Sequence, residues 1–304
     1  MLEGVTLKQF VMELYEESNE DDILNGAAVL GFFLTMAIFP AMIFTMALLP
    51  YLPIANVDRA IMDLLQQALP RDAANMFTSV VTEVTRQQNG GLLSFGILAT
   101  LWSTSSGMYA VMQQLNKSYD VKEARGFVRS RLIAIGLSML FAVLVVGAFS
   151  LIVLGGVMQE WIGARYGLSP GVLHFFAGLR WVIIAAGLLL AFALIYYLAP
   201  NVKQKFTFIT VGSVVGVLLL VAASLAFAWY TQNFDDYSST YGSIGAVILL
   251  MLWLYIAGLA ILIGSEINAL IEHHAAGGKD KGERAPGRPD RTPDHRPEQK
   301  MSRA

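Results

Sequence analysis

Cysteine is absent from this 304-residue chain, and charge is scarce, at 14% of residues. The first absence excludes disulfides, thiolate metal sites and a cysteine nucleophile. The second argues against an ordinary soluble fold, because a water-facing surface usually needs about 25% charged residues. A phosphate loop of the form GxxxxGK(S/T) and an HExxH zinc helix are also missing, so nucleotide hydrolysis and zinc-protease chemistry by those routes are not expected. His273, His274 and His295 fall in the polar C-terminal region and His174 lies far from them, with no metal-ligand spacing around any. The neighbouring carboxylates Asp235 and Asp236 read as the solvated end of a loop, not as a two-metal nuclease centre. A net charge of −2 gives no pull toward nucleic acid. No metal and no cofactor are expected, and the chain does not read as an enzyme.

What is abundant is apolar sequence: 55% of residues are hydrophobic and the mean hydropathy is +0.55. A bilayer core about 30 Å thick is crossed by roughly 20 apolar residues in helical form. Six stretches meet that length, at 26–50, 92–112, 132–158, 179–199, 207–230 and 243–271. They are too long for membrane β-strands, and backbone groups in lipid must be satisfied within the segment, so the spans are helices. The acidic run before the first span, from Glu13 to Asp22, is unlike the basic n-region of a cleaved signal peptide. The second span is the most polar, yet no charge falls between Arg86 and Lys117.

Lysine and arginine favour the cytoplasmic side. Six spans with both termini cytoplasmic place sixteen basic residues inside and five outside. A five-span arrangement omitting the second helix scores eighteen to three, so charge alone does not choose between them. The length of the uncharged run favours six. The fold expected is therefore all-α: a polytopic membrane bundle of six transmembrane helices, with amphipathic helices at the N-terminus and on the extracytoplasmic side.

Leu7, Phe10, Val11 and Leu14 recur at helical spacing opposite Glu13, Glu16, Glu17 and Glu20, which predicts a helix that caps the bundle. In the long outer loop, Val57, Ile61, Leu64, Leu65 and Ala68 form one stripe, and Phe77, Val80, Val81 and Val84 another. These predict two outer amphipathic helices serving as cover, lid or partner surface. Residues 1–272 thus make the membrane domain. The Gly-, Pro- and charge-rich 273–304 segment cannot bury enough apolar area to offset its ordering and reads as a disordered cytoplasmic tail. A pattern also echoes: Ser94, Gly96, Trp102 and Gly107 against Ser243, Gly245, Trp253 and Gly258, with identical Trp-to-Gly spacing. Duplicated hairpins in transporters leave such marks.

Few residues offer chemistry inside the spans. Trp102, Ser103, Thr104, Ser105 and Ser106 make the second span a poor lipid-facing helix, so it is expected at the bundle centre, bordering a polar path or bonded to its neighbours. Glu266 is the ionisable group near the inner end of the last span, either in an ion pair with a residue such as Arg125 or in a substrate or proton role. Gly212 and Gly216 predict close helix packing. Pro40 should kink the first span or release a carbonyl to a neighbouring hydroxyl. Lys117, Lys122, Arg125, Arg129 and Arg131, around Tyr119 and Phe127, fit either topological anchoring or binding of anionic lipid headgroups, each basic group contributing about 1 kcal/mol near such a leaflet.

Taken together, LWSTSSGMYAVMQQLNKSYDVKEARGF (101–127), YYLAPNVK (196–203) and FAWYTQNFDDYSSTYGSIGAVILLMLWLYIAGLAILIGSEINA (227–269) closely resemble the YihY/BrkB family of bacterial inner-membrane proteins. NGAAVLGFFLTMAIFPAMI (25–43) fits that family's first span, although Gly31-Phe32-Phe33 replaces a Tyr-containing run and the tail is private to this chain. The resemblance implies six spans in the bacterial cytoplasmic membrane, links to serum resistance and lipid transport, and an old ribonuclease BN label that the residues do not support. It implies no catalytic residues. The positions that match its motifs are Asn116, Arg125, Pro200, Asn201, Tyr241, Gly242, Trp253, Glu266 and Asn268. The function expected is a non-enzymatic transporter or flippase for a lipid or amphiphile, with an envelope scaffold as the alternative and a membrane ribonuclease as the remote one.

Overall fold

The computed structural model describes residues 6–48, 90–166, 169–204, 206–233, 236–275, 283–285 and 288–289. Within them lie seven helices: α1 (Leu7–Glu20), α2 (Ile23–Leu48), α3 (Gly90–Ser118), α4 (Phe127–Tyr166), α5 (Pro170–Leu198), α6 (Val211–Asn233) and α7 (Asp236–His273). In the polar tail, Glu283–Ala285 pairs antiparallel with Arg288–Pro289. Positions 273–275 are also described, with His273 ending α7, while the rest of that tail and the helices expected over 57–84 lie outside the described residues.

The architecture is the all-α membrane bundle that the apolar runs predict. Five segments are long and apolar enough to cross a bilayer: Ile23–Ala41, Phe127–Ala148, Gly171–Leu198, Val211–Thr231 and Val247–His273. They match five of the six expected spans, with limits shifted by several residues. The remaining one is α3, whose 29 residues extend about 43 Å at 1.5 Å per residue. It has spanning length, while its hydroxyls and glycines keep it less apolar than the other five.

Helix α2 packs between α3 and α7, α7 packs on α6, and α4 lies against α3 and α5. The core sits where these meet, around Ala27, Leu30, Met112, Leu115 and Leu262. Small residues bring the backbones together. A side chain at Gly31 would press on the backbone of Tyr255, and one at Gly258 on Leu30 and the carbonyl of Ala27, so α2 and α7 touch almost directly. The closest approach is between α6 and α7. A Cβ at Gly212 would run into the Gly264 carbonyl and Asn268, and one at Gly264 into the Tyr196 hydroxyl and the Gly212 carbonyl. The Gly212/Gly216 pattern thus does mark a contact, but its two glycines serve different neighbours, since Gly216 abuts Phe192 of α5.

A capping box starts α1: the Gln9 amide donates to Thr6 Oγ1 at 3.3 Å, and the Thr6 amide donates to Gln9 Oε1 at 2.9 Å. The helix caps α7 through Phe10, with Leu14, against Ile267 and Leu270. The buried edge is narrower than its apolar stripe, because only that edge faces α7, and Leu7 and Val11 stay exposed. After α3, Asp120 takes a left-handed φ of 53° while the Val121 amide donates to the Asn116 carbonyl and the Asp120 amide to that of Lys117. This pair of bonds closes the helix as a Schellman turn.

Gly264→Ala should therefore destabilise the protein by about 1–3 kcal/mol, the usual cost of overpacking. Gly136→Ala, which meets nothing within 4 Å, should be neutral or stabilising. Thermal unfolding in detergent compares the two.

Candidate functional site

Polar side chains gather at one end of the bundle, where α3, α5 and α7 end and α4 and α6 begin. Just beyond α3, Arg125 is clamped by Glu123 across 2.6 Å and donates to the Ala199 carbonyl at 2.7 Å. Their side chains retain only 10% exposure each. Asn116 bridges the next pair of elements: its amide nitrogen donates to Glu123 Oε2 at 3.2 Å, and its oxygen accepts from the Asn201 amide at 2.6 Å. Asn201 in turn donates to the Lys122 carbonyl. Three motif residues far apart in sequence are thus one hydrogen-bonded network, joining the 119–126 turn to the 199–204 segment.

A second network fixes the start of α6. Thr210 and Ser213 cap it, with Ser213 Oγ accepting from the Thr210 amide at 2.9 Å. Asn268 Oδ1 accepts from the Gly212 amide at 2.9 Å, satisfying one of the orphan donors of that helix from α7. Tyr196 donates its hydroxyl to the Ile261 carbonyl at 2.8 Å, and its own carbonyl accepts from Gln204. Between these parts lies an open cavity of about 730 Å³, lined by Tyr119, Tyr197, Lys203, Gln204, Thr207, Ile209, Thr210, Val211, Asn268, Ile271 and Glu272, among others. Its lining combines charged and amide-bearing side chains (Lys203, Gln204, Asn268, Glu272) with apolar ones (Ile209, Val211, Ile271).

Electrostatics follow burial. Desolvation, reinforced by the carboxylates of Glu272 and Glu266, pushes the Tyr119 phenol well above its ordinary range, so it stays a neutral donor. Burial also raises Glu123, but hydrogen bonds and charge from Arg125, aided by Asn116, outweigh it and hold the carboxyl below its ordinary value. Glu266 is 2% exposed, and its Oε1 has no hydrogen-bond partner. The ion pair expected between Glu266 and Arg125 is not formed. Glu123, two residues from Arg125, takes the guanidinium, while Glu266 faces Ser118 and Asp21. No group of three or more His, Asp or Glu side chains placed to hold a metal occurs among the described residues.

The hydroxyl-rich stretch lies elsewhere. Ser103 is half-buried beside Thr104, Ser105 and Ser106, and these three donate to carbonyls one turn back in their own helix, at 2.7–2.9 Å. Arg131 of α4 adds a 3.1 Å bond to each of Ser105 and Ser106. Thr100 donates to the carbonyl of Pro40 at 2.7 Å, which is the proline's own carbonyl and not that of Met36, the one its missing amide releases. The expectation that Trp102 faces protein or a cavity is corrected. It is 61% exposed, because α3 turns its small residues Gly96, Ser105 and Gly107 inward and its 95–98–102 stripe outward. The Arg131 guanidinium stacks over its ring at 4.3 Å. Trp253 is half-buried at mid-helix in α7, thirteen residues or about 20 Å from Glu266 and so apart from the end network. The Tyr241 side chain lies outside the described residues. Lys117, Lys122 and Arg129 are exposed, and Arg131 is half-buried.

Asp21, Ser118, Glu123, Tyr196 and Gln204 were not singled out from sequence as site residues. Only Glu123 carried a local signal, an acid two positions before Arg125 in a turn.

The family described as "Virulence factor BrkB" matches residues 14–288. The ribonuclease-like protein YfkH of Bacillus subtilis (strain 168) is 36% identical over 86% of this chain and 94% of its own length. A UPF0761 membrane protein of Alkalilimnicola ehrlichii is 24% identical over 89% of this chain, which spans 61% of that relative. A UPF0761 membrane protein of Verminephrobacter eiseniae is 25% identical over 90% of this chain and 65% of its own. No solved structure matches.

Arg125→Ala should cost about 1.5–3 kcal/mol, the range for hydrogen bonds to charged groups. Because the folded-state pKa of Glu123 is depressed, its stabilisation is present above the ordinary carboxylate range and is lost as pH falls through the lowered value. Limited proteolysis of the 119–126 turn should accelerate on acidification in the wild type and be fast at all pH values in Glu123→Gln.

Proposed function

Because the chain belongs to the BrkB family of membrane proteins, we propose that it moves a lipid or other amphiphile across or within the bacterial cytoplasmic membrane and does no covalent chemistry. The observation that carries this reading is the 730 Å³ cavity at the polar end of the bundle. Its lining suits a two-part molecule. Lys203, Gln204 and Asn268 offer a cation and amides to a polar or anionic headgroup, and Ile209, Val211 and Ile271 offer an apolar wall to a chain. Ligand pockets of this kind pair a mostly apolar lining with a few placed polar groups.

Both termini are assigned to the cytoplasm, which puts the cavity at the inner leaflet. Exposed Lys117, Lys122 and Arg129 at the same end then add about 1 kcal/mol each of attraction for anionic headgroups. The remaining basic pair of that segment acts structurally: Arg125 holds the turn, and Arg131 rests on Trp102. In this reading Ser105 and Ser106 join α3 to α4 through Arg131, Thr104 turns back onto its own helix, and the 103–106 stretch does not line the path.

The name of the Bacillus relative raises RNA cleavage as a second reading. Metal-assisted phosphodiester hydrolysis draws on several converging carboxylates, whereas the buried acids at this end, Asp21 and Glu266, are a pair. Metal-dependent RNA cleavage by purified protein, abolished by one carboxylate substitution, would restore it.

Purified protein reconstituted into vesicles with a fluorescent phospholipid should speed its transfer between leaflets. Thr207→Trp and Ile271→Trp, which fill the cavity, should each slow transfer about tenfold, equivalent to ~1.4 kcal/mol. Val143→Trp, on the far apolar face, should not. Wild-type vesicles that scramble no faster than protein-free ones overturn the proposal.

A further inference from the structure

Glu266 projects from α7 into a place that the amphiphile reading does not use. It is almost completely buried, and one of its carboxyl oxygens has no partner. Across from it lies Asp21, itself buried, at the elbow between α1 and α2 and within hydrogen-bonding reach. The Ser118 side chain at the end of α3 hydrogen-bonds Glu266 from a third direction.

Two carboxylates this close repel, and burial removes the water that would screen them. Further acids stand close by. Glu17 of α1 also faces Glu266 and is acidic. Glu272 acts with Glu266 on Tyr119, whose phenol is neutral. Glu13 is occupied by His274 at 2.8 Å, and Asp22 by Asn25 at 2.8–2.9 Å. A carboxyl–carboxyl hydrogen bond requires a proton on one partner, and carboxylates placed in this way share a single proton. We propose that Asp21 and Glu266 form a proton-binding site, in which one bridging proton fastens the α1–α2 elbow to α7. Loss of that proton to water leaves two facing anions and loosens the elbow.

The site stands whatever molecule the neighbouring cavity takes. A folded state that binds a proton more tightly than the unfolded chain is stabilised at low pH, and the benefit fades as pH rises. Wild-type protein in detergent is therefore titrated from mildly acid to alkaline pH, with infrared difference spectra and thermal unfolding recorded together. The expected result is a protonated-carboxyl carbonyl band that disappears as pH rises, release of about one proton per chain in the second of the pair's two macroscopic steps, and a Tm that falls over the same interval. Glu266→Gln and Asp21→Asn each supply an amide donor in place of the proton. Each should lose both the band and the fall in Tm while matching or exceeding the wild-type Tm in alkali. A wild type with no titrating carboxyl band overturns the proposal, as does survival of band and Tm slope in both substituted proteins. Neither readout involves lipid, so its failure is separable from failure of the transfer assay.

Discussion

Hydrocarbon offers a polar side chain no hydrogen bond, so every such group placed within the spans must find its partner in protein. That constraint explains most of the interhelical chemistry of this bundle. Thr104, Ser105 and Ser106 turn back onto their own helix. Thr100 ties α3 to Pro40 of α2, Ser138 ties α4 to the Thr104 carbonyl, and Tyr196 ties α5 to Ile261 of α7. Hydroxyls act here as joints between helices, and each joint consumes the polar group that a sequence reader would assign to a path. Glu266 Oε1 and Ser265 Oγ, among the described residues, are buried without a hydrogen-bond partner.

Close packing and openness divide the bundle unequally. Glycines let α6 and α7, and α2 and α7, meet backbone to backbone; lipid tails as apolar as leucine leave no hydrophobic force between helices, so close van der Waals packing of this kind holds them together. The seam between α5 and α6 is looser: beside it lies the polar-end cavity, and between α4 and α5 there is an apolar cleft of about 420 Å³. Packing is thus tight along α2, α6 and α7 and looser around α5, and Asp21 and Glu266 lie enclosed on the tight side.

The bundle was legible in the sequence because length and apolarity alone determine which segments cross a membrane. The docking of α1 through Phe10 and the Gly212 contact were legible for the same reason, each being a local pattern with one mechanical meaning, but the acidic face was not, since Glu13 and Glu17 turn toward the bundle while Leu7 and Val11 stay exposed. The end network was legible only as a set of names. Asn116, Arg125, Asn201 and Asn268 stood out by family resemblance, but nothing in the spacing said that Asn116 bonds Asn201 across 85 positions or that Asn268 caps α6. Two expectations failed because direction around a helix is set by neighbours. Trp102 follows the outward stripe once Gly96, Ser105 and Gly107 seek close contact, and Arg125 takes the acid two residues away before the one on another helix.

Most of what is distinctive converges on the last turns of α7. Gly264 sets the distance to α6, Glu266 faces Asp21, Asn268 holds the Gly212 amide of α6, and Glu272 borders the cavity. Those positions extend over about 12 Å of one helix at 1.5 Å per residue. An element this short and stiff has little freedom to move at one of them alone. A change in how Asp21 meets Glu266 therefore reaches the Asn268 cap and the cavity wall through a single rigid segment, without any relay across the rest of the bundle.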